Sequence, residues 1–176
     1  LGKHVVVIGG GNTAMDTARA AKRTKGVETV SLVYRRTKRY MPADEEELLM
    51  AVEDGVEFKE LLAPVRLENG RLICRVMKLG DIDDSGRRGV TETEETREVL
   101  ADTVIVAVGE KVPSELYEAN GIHVNERGKA MVREDTCETN LEGIYVVGDG
   151  LGGPATVVEG IRDGRKAAEA VIGESL

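Results

Sequence analysis

Val5-Val6-Val7-Ile8-Gly9-Gly10-Gly11-Asn12-Thr13-Ala14 is the stretch whose reading decides the fold of this chain. Four β-branched residues in a row read as a strand covered on both faces, because a strand with one wet face would alternate apolar and polar residues. The run passes straight into glycine. Gly9-x-Gly11-x-x-Ala14 then opens a segment with Ala14, Ala18 and Ala21 on one face, ending near Gly26, which stands where a helix C-terminal glycine is expected. Strand, tight turn and helix is the setting in which such a pattern holds the pyrophosphate of a dinucleotide. Gly9 permits the turn, Gly11 lets the backbone approach the phosphates, and Ala14 lets the helix pack closely on the strand. The phosphates would sit on the free N–H groups at the helix start, Asn12 and Thr13, where the helix dipole favours anions. The bland alternative for the same glycines is a ligand-free turn.

Working outward, Thr29–Tyr34 (TVSLVY) reads as a second strand, and Pro42 followed by Asp44-Glu45-Glu46-Glu47 starts a second helix with its acids at the positive end of the dipole. Those acids are better explained so than as a metal site. Gly55 closes that helix and Val56-Glu57-Phe58 is a third strand, so a βαβαβ order predicts a parallel sheet with right-handed crossovers. After Ala63-Pro64 the pattern becomes that of an antiparallel hairpin: Val65–Leu67, a turn at Glu68-Asn69-Gly70, and Leu72–Leu79. A third, polar strand is expected around Glu94–Leu100, with residues 80–92 as a solvated loop. The sheet resumes at Thr103–Val108. Beyond Glu110 regular structure is sparse, with small strands expected at Ile122–Val124 and Ala130–Val132. An apolar strand at Ile144–Val147 then runs into the loop Gly148-Asp149-Gly150, and a helix follows from about Ala155 to Val171.

Composition bounds the class. The 176 residues are 41% hydrophobic and 32% charged with a formal net charge of −8, which excludes a disordered chain and argues against general nucleic-acid binding. No window approaches the length of an apolar membrane span, and the start carries no apolar leader, so a cytoplasmic address is the default. Gly accounts for 21 residues, Trp is absent and aromatics are 3%, which suits a Val/Ile/Leu/Ala core built on a parallel sheet. The chain opens on Leu1 and enters a strand almost at once, as a piece of a longer protein would.

The residues after the second strand choose among dinucleotides. An NAD site usually places Asp or Glu there; here Tyr34 is followed by Arg35-Arg36-Thr37-Lys38-Arg39. Four cations in five residues, on a chain of net negative charge, suit the 2′-phosphate of NADP(H), because guanidinium forks match its oxygens. The alternative is a solvated basic turn. In the second constellation, Gly148-Asp149 after an apolar strand sets one carboxylate beside a helix start, where it accepts hydrogen bonds from a polyol or serves as an N-cap. Cys74 and Cys137 form no CxxC pair, so neither a disulfide scaffold, a zinc ribbon nor a redox dithiol is indicated, and both thiols are expected to be inert. His4 and His123 are isolated. The residues suggest no catalytic acid–base set and no metal ligands.

Five stretches in this order, VVVIGGGNTAMDTARAA, YRRTKRYMPADEEE, EDGVEFKELLAP, DTVIVAVGEKVP and TNLEGIYVVGDGLGGPATVVEGIRDGRKAAEAV, resemble the C-terminal part of the glutamate synthase small-subunit family. That family lies within the two-dinucleotide-fold flavoprotein superfamily, which also includes the flavin domains of dihydropyrimidine dehydrogenase and of selenate reductase-like subunits. The resemblance implies an α/β fold: a Rossmann-like NADPH-binding domain over residues 1–108, its parallel sheet joined by an antiparallel three-stranded meander, plus the incomplete C-terminal portion of a split FAD-binding domain over residues 109–176. It implies that Gly9, Gly11, Asn12, Thr13 and Ala14 cradle the NADPH pyrophosphate and that Arg35 and Arg36 hold the 2′-phosphate. Val108 and Gly109 would form the crossing near the nicotinamide. Gly148 and Asp149 would bind the flavin ribityl or pyrophosphate, and Ala155 and Thr156 would approach the flavin ring. The implied partners are the rest of a parent polypeptide, with its N-terminal FAD half and an iron–sulfur domain, and an oxidoreductase partner subunit. A non-catalytic dinucleotide-binding module remains the alternative, and a self-contained dehydrogenase is disfavoured for want of a catalytic set.

Overall fold

Strand β1 (His4–Ile8) lies inside a parallel sheet with β2 (Thr29–Tyr34) on one side and β7 (Thr103–Val106) on the other, and β3 (Glu57–Glu60) beyond β2 completes the order β3-β2-β1-β7. The structure is a computed structural model, and it describes residues 1–82 and 88–173. Val5, Val6 and Val7 are buried, as a strand covered on both faces requires. Val5 and Val7 pack with Val30 and Leu32 against helix α1 (Asn12–Lys22), through Ala14, Met15, Ala18 and Ala21, and against Ala51 of helix α2 (Glu45–Glu53). Val6 and Val33 face the other way, into Leu62, Leu72, Cys74 and Val99. Those residues belong to a second sheet, the antiparallel meander β4 (Leu62–Glu68), β5 (Arg71–Ile82) and β6 (Arg88–Leu100). The first unit is thus three layers, helices, parallel sheet and meander, and the alternating sides of β1 supply the contacts to both outer layers.

Chain contacts divide the molecule into two compact units, Leu1–Val108 and a second from Gly109 onward. In the second, helix α3 (Ser114–Ala119), the short helix α4 (Asp149–Gly152) and helix α5 (Val157–Ile172) accompany a small core of Tyr117, Ala130 and Val146. The Tyr117 hydroxyl donates to Gly150 O at 2.6 Å. Among the described residues no helix is long and apolar enough to cross a membrane.

Several sequence expectations need correction. Helix α1 ends at Lys22, not near Gly26: the Thr24 hydroxyl donates to Ala20 O (3.0 Å) and Thr24 N–H to Ala21 O, so the last turn is closed before the glycine. Strand β7 stops at Val106, because its partner β1 ends opposite it at Ile8 and turns away at Gly9. Residues 80–82 and 88–92, expected in a loop, extend β5 and β6, while 83–87 lie outside the described residues. Ile122–Val124 and Ala130–Val132 contribute one isolated bridge, Val124 to Ala130. Ile144–Val147 forms no strand either. One bridge joins Glu138 to Tyr145, and Ile144 and Val147 stay exposed, so this apolar run lacks a second strand to complete a ladder. Gly148-Asp149-Gly150 enters a helical turn, not an open loop. Helix α3 was not anticipated.

Candidate functional site

Parallel pairing aligns the C-terminal ends of β1, β2 and β7, with Ile8 opposite Val33 on one side and Val106 on the other. Sites in open α/β sheets form at such an edge, where the chain order reverses. Here β1 leads through α1 to β2 on one flank while β7 returns on the other.

At that edge Gly9 and Gly11 play different parts. A Cβ at Gly9 would stand 2.2 Å from Ala107 O and 2.9 Å from Ala14 Cβ, so the strand-to-helix turn closes only with glycine there. Ala14 is fully buried against the same turn. At Gly11 a Cβ would meet nothing within 4 Å, and the backbone, at φ −98° and ψ 173°, suits any residue. The fold itself therefore does not require a glycine at position 11; the open space in front of it is where a ligand would press. Gly11 is the N-cap of α1 and no side chain caps the helix. Ala14 and Met15 donate to Gly11 O, while the N–H groups of Asn12 and Thr13 have no acceptor among the described residues. No acid stands in the first turn. Free backbone donors at a helix start whose own first turn holds no acid make an anion cradle, and the neighbouring Asp44 carboxylate is engaged by the Asn12 side chain.

Beside it, β2 delivers Arg35 and Arg36. Neither makes an ion pair among the described residues, nor do Lys38 and Arg39, whereas Arg19, Arg23, Arg66 and Arg71 are all bridged to carboxylates. Arg36 is half-buried with its Nε shielded and unpartnered, and its carbonyl accepts from Leu61 N–H at 3.2 Å. Arg35 is exposed. Arg39 lies over the Tyr40 ring, 5.9 Å from its centroid. Val108, two residues past the end of β7, is exposed.

Asn12 has its side chain engaged: Nδ2 donates to Asp44 Oδ2 at 3.1 Å and Oδ1 accepts from Asp44 N–H at 3.0 Å. Its amide side chain is thus committed within the protein, leaving the backbone N–H for a ligand. Sequence reasoning missed Asp44 in this capacity, having assigned it only to the helix dipole. It also missed Tyr34, whose ring lies against Gly10, and Gly10 itself, where a Cβ would come within 2.4 Å of that ring.

The first unit thus brings together Gly9, Gly11, Asn12, Thr13, Ala14, Arg35, Arg36 and Val108. In the second unit Gly148 precedes α4, and Asp149 Oδ1 accepts from Ala155 N–H at 3.2 Å, closing the loop between α4 and α5. Thr156 caps α5 in a reciprocal box with Glu159, accepting from its N–H at 3.3 Å while Glu159 Oε2 accepts from Thr156 N–H at 2.9 Å. The N–H of Thr156, and its hydroxyl at 2.8 Å, both donate to the Glu159 carboxylate and hold it below its usual pKa. Asp149 and the Ala155-Thr156 turn are thus tied to one another and to α5, and Asp149 Oδ1 and the Thr156 polar atoms already serve the local fold. The spelling Gly148-x-Gly150-x-x-Gly153 repeats the glycine pattern without the preceding strand that gives it meaning.

Both thiols are buried and free. Burial pushes Cys74 up to about 11 and also raises Cys137. His4 Nδ1 is bonded to Thr29 Oγ1 at 2.9 Å. Among the described residues no three His, Cys, Asp or Glu side chains converge as metal ligands.

Comparison with known proteins fits this geometry. A family model described as pyridine nucleotide-disulphide oxidoreductase matches residues 1–164. YgfK of Escherichia coli (strain K12), whose name assigns it provisionally as an oxidoreductase, is 44% identical over 98% of this chain and 17% of its own length. The glutamate synthase [NADPH] small chain of Azospirillum brasilense is 39% identical over 97% of this chain and 36% of its own. The chain thus spans well under half the length of these relatives. Among solved structures, Mycobacterium tuberculosis FprA in complex with NADPH superposes with a TM-score of 0.74 at 20% identity, over 98% of this chain and 52% of that one, a likeness of fold. By the extent of the family match, this chain belongs to the pyridine nucleotide-disulphide oxidoreductase family.

Proposed function

We propose that this chain is the NADPH-binding part of a flavin-dependent oxidoreductase, with residues 1–108 as the NADPH-binding domain and the residues from 109 onward as the C-terminal portion of a split FAD-binding domain. The observation that carries the reading is the pairing, at one sheet edge, of an open glycine helix start with a run of cations that form no ion pair among the described residues. Gly11 and the N–H groups of Asn12 and Thr13 receive the pyrophosphate, Gly9 and Ala14 keep the turn tight, and Arg35 and Arg36 take the 2′-phosphate. The names of the glutamate synthase [NADPH] small chain and of the NADP(+)-dependent formate dehydrogenase subunit beta of Moorella thermoacetica, 39% identical, support the choice of the phosphorylated cofactor.

Held at Gly11, Asn12, Thr13, Arg35 and Arg36, NADPH would supply a hydride, whose acceptor in the whole protein would be a flavin serving iron–sulfur or other centres outside this chain. The residues present fit NADPH: the cradle at Gly11 is open, and neither Arg35 nor Arg36 is tied up in an ion pair among the described residues. For the flavin they offer Asp149 Oδ2 and little else, and no step is derived through it. The chain's contribution is binding and orientation, with no proton transfer assigned to any side chain.

Titration of the wild type and an Arg35→Ala/Arg36→Ala variant with NADP+ and NAD+ tests this. With each charge-assisted contact worth about 1.5–3 kcal/mol, NADP+ affinity should fall by roughly 10²- to 10⁴-fold. NAD+ affinity should hardly move, and equal losses for both would refute the 2′-phosphate assignment. The engagement of Asp149 Oδ1 by Ala155 N–H, in the unit that would hold the flavin, favours a second reading, a dinucleotide-binding module without redox turnover. Reduction of flavin by NADPH in a longer parent protein would exclude it.

A further inference from the structure

The basic segment does not hang free from the end of β2; it is fastened to the glycine turn at three points. Ala43 N–H donates to Gly10 O at 3.0 Å. Asp44 exchanges two hydrogen bonds with the Asn12 side chain, and because the Asp44 N–H can only donate and its carboxylate only accept, the amide of Asn12 has one orientation that satisfies both. Tyr34 lays its ring on Gly10, and its hydroxyl donates to Tyr40 O at 2.9 Å, at the end of the 3-10 turn Lys38–Tyr40. Asp44 is the N-cap of α2, yet its side chain makes no capping bond to its own helix. Its Oδ2 is spent on the start of α1. On the far side, Lys38 N–H donates to Glu60 Oε2 at 3.0 Å and Leu61 N–H to Arg36 O, so the segment is held from both flanks.

We infer that Tyr34 and Asp44 are specificity-determining positioning residues, which set the spacing between the glycine turn and the segment Arg35–Arg39 and through it the preference for a dinucleotide carrying a 2′-phosphate. The inference rests on the dinucleotide reading above. The distance between pyrophosphate and 2′-phosphate within one ligand is limited by its covalent frame. Guanidinium groups contribute fully only when already held at the matching distance, since ordering them on binding costs part of the gain. A loosened segment would still let the glycine turn bind pyrophosphate. It would lose the part of the affinity that distinguishes the two dinucleotides.

Calorimetric titration with NADP+ and NAD+ of the wild type, Tyr34→Phe, Asp44→Ala and Asp44→Asn distinguishes this from a merely structural role. Tyr34→Phe keeps the ring on Gly10 and removes the bond to Tyr40. Asp44→Ala removes the acceptor for Asn12 Nδ2. Both should weaken NADP+ binding about tenfold and leave NAD+ within about twofold. Asp44→Asn loses the same charge as Asp44→Ala but keeps an acceptor, so it should restore NADP+ binding to at least the wild-type level. The Asp44 pair repeats the test without touching the tyrosine, should that variant not fold. Parallel losses for both nucleotides, or an unchanged ratio in Tyr34→Phe and Asp44→Ala while Arg35→Ala/Arg36→Ala abolishes the preference, would overturn the positioning role and leave the 2′-phosphate reading standing. A wild type that binds both equally would overturn that reading and this inference with it.

Discussion

Gly9 and Gly11 stand two residues apart and differ in what the fold asks of them: it requires a glycine at 9 and makes no such demand at 11. Because a Cβ at Gly9 runs into Ala107 O and Ala14, Gly9→Ala should lower stability by about 1–3 kcal/mol, measured by urea unfolding. Gly11→Ala should leave unfolding unchanged and cut NADP+ affinity at least about tenfold, because the methyl occupies the space of the phosphates. A Gly11→Ala variant that binds as the wild type does would show that no ligand approaches there. Cys74 makes a pH prediction. Its folded pKa, about 11 through burial, lies above the ordinary thiol value, so the unfolded chain ionises first as pH rises. The stabilisation is complete below the unfolded pKa and is lost between about pH 9 and 11, on the order of 3 kcal/mol at most. Cys74→Ala should flatten that part of the stability–pH curve, and an equally steep decline in the variant would place the titrating group elsewhere. The glycine spacing and the arginines were legible in the sequence. The use of Asp44 was not, since nothing in the string shows that a residue 32 positions away meets Asn12.

At the scale of elements, α1 works as a close-packed spacer. Its buried positions Ala14, Ala18 and Ala21 bring it near β1 and so carry its free N-terminal donors up to the strand's end. Ala18→Leu should force helix and sheet apart at a cost of about 1–3 kcal/mol and weaken NADP+ binding as well. Thermal melting together with cofactor titration checks this; a stable variant with unaltered binding would contradict the spacer role. These elements were readable because their signals are local: a β-branched run, small residues at helical spacing, acids before a helix. Ile144–Val147 carries the same local signal as β1 and yet forms one bridge, because a strand exists only where another strand supplies its hydrogen bonds. The extension of β5 and β6 into polar residues 80–82 and 88–92 is the converse, since each pairs with the other irrespective of apolar content.

At the scale of the molecule, the two units differ in what they would offer a cofactor. The first presents a strand, turn and helix beside cations that form no ion pair among the described residues, while in the second Asp149 Oδ1 and Thr156 are already engaged between α4 and α5. Purified chain should therefore bind NADP+ and remain colourless; a yellow preparation with stoichiometric FAD would refute this. NADP+ should slow hydrogen exchange at residues 9–14 and 35–44, and unchanged exchange there would place the dinucleotide elsewhere. The sequence alone determined the parallel βαβαβ core, the meander, the glycine cradle and the basic run, because each is encoded by spacing within a few residues. Only the tertiary structure decided that Gly11 is free of steric demand from the protein, that Asn12 is spent on Asp44, and that Tyr34 joins the glycine turn to the basic segment. Those facts depend on which distant backbone atoms and side chains arrive at the same sheet edge, and that is settled when the two faces of β1 are covered by α1, α2 and the meander.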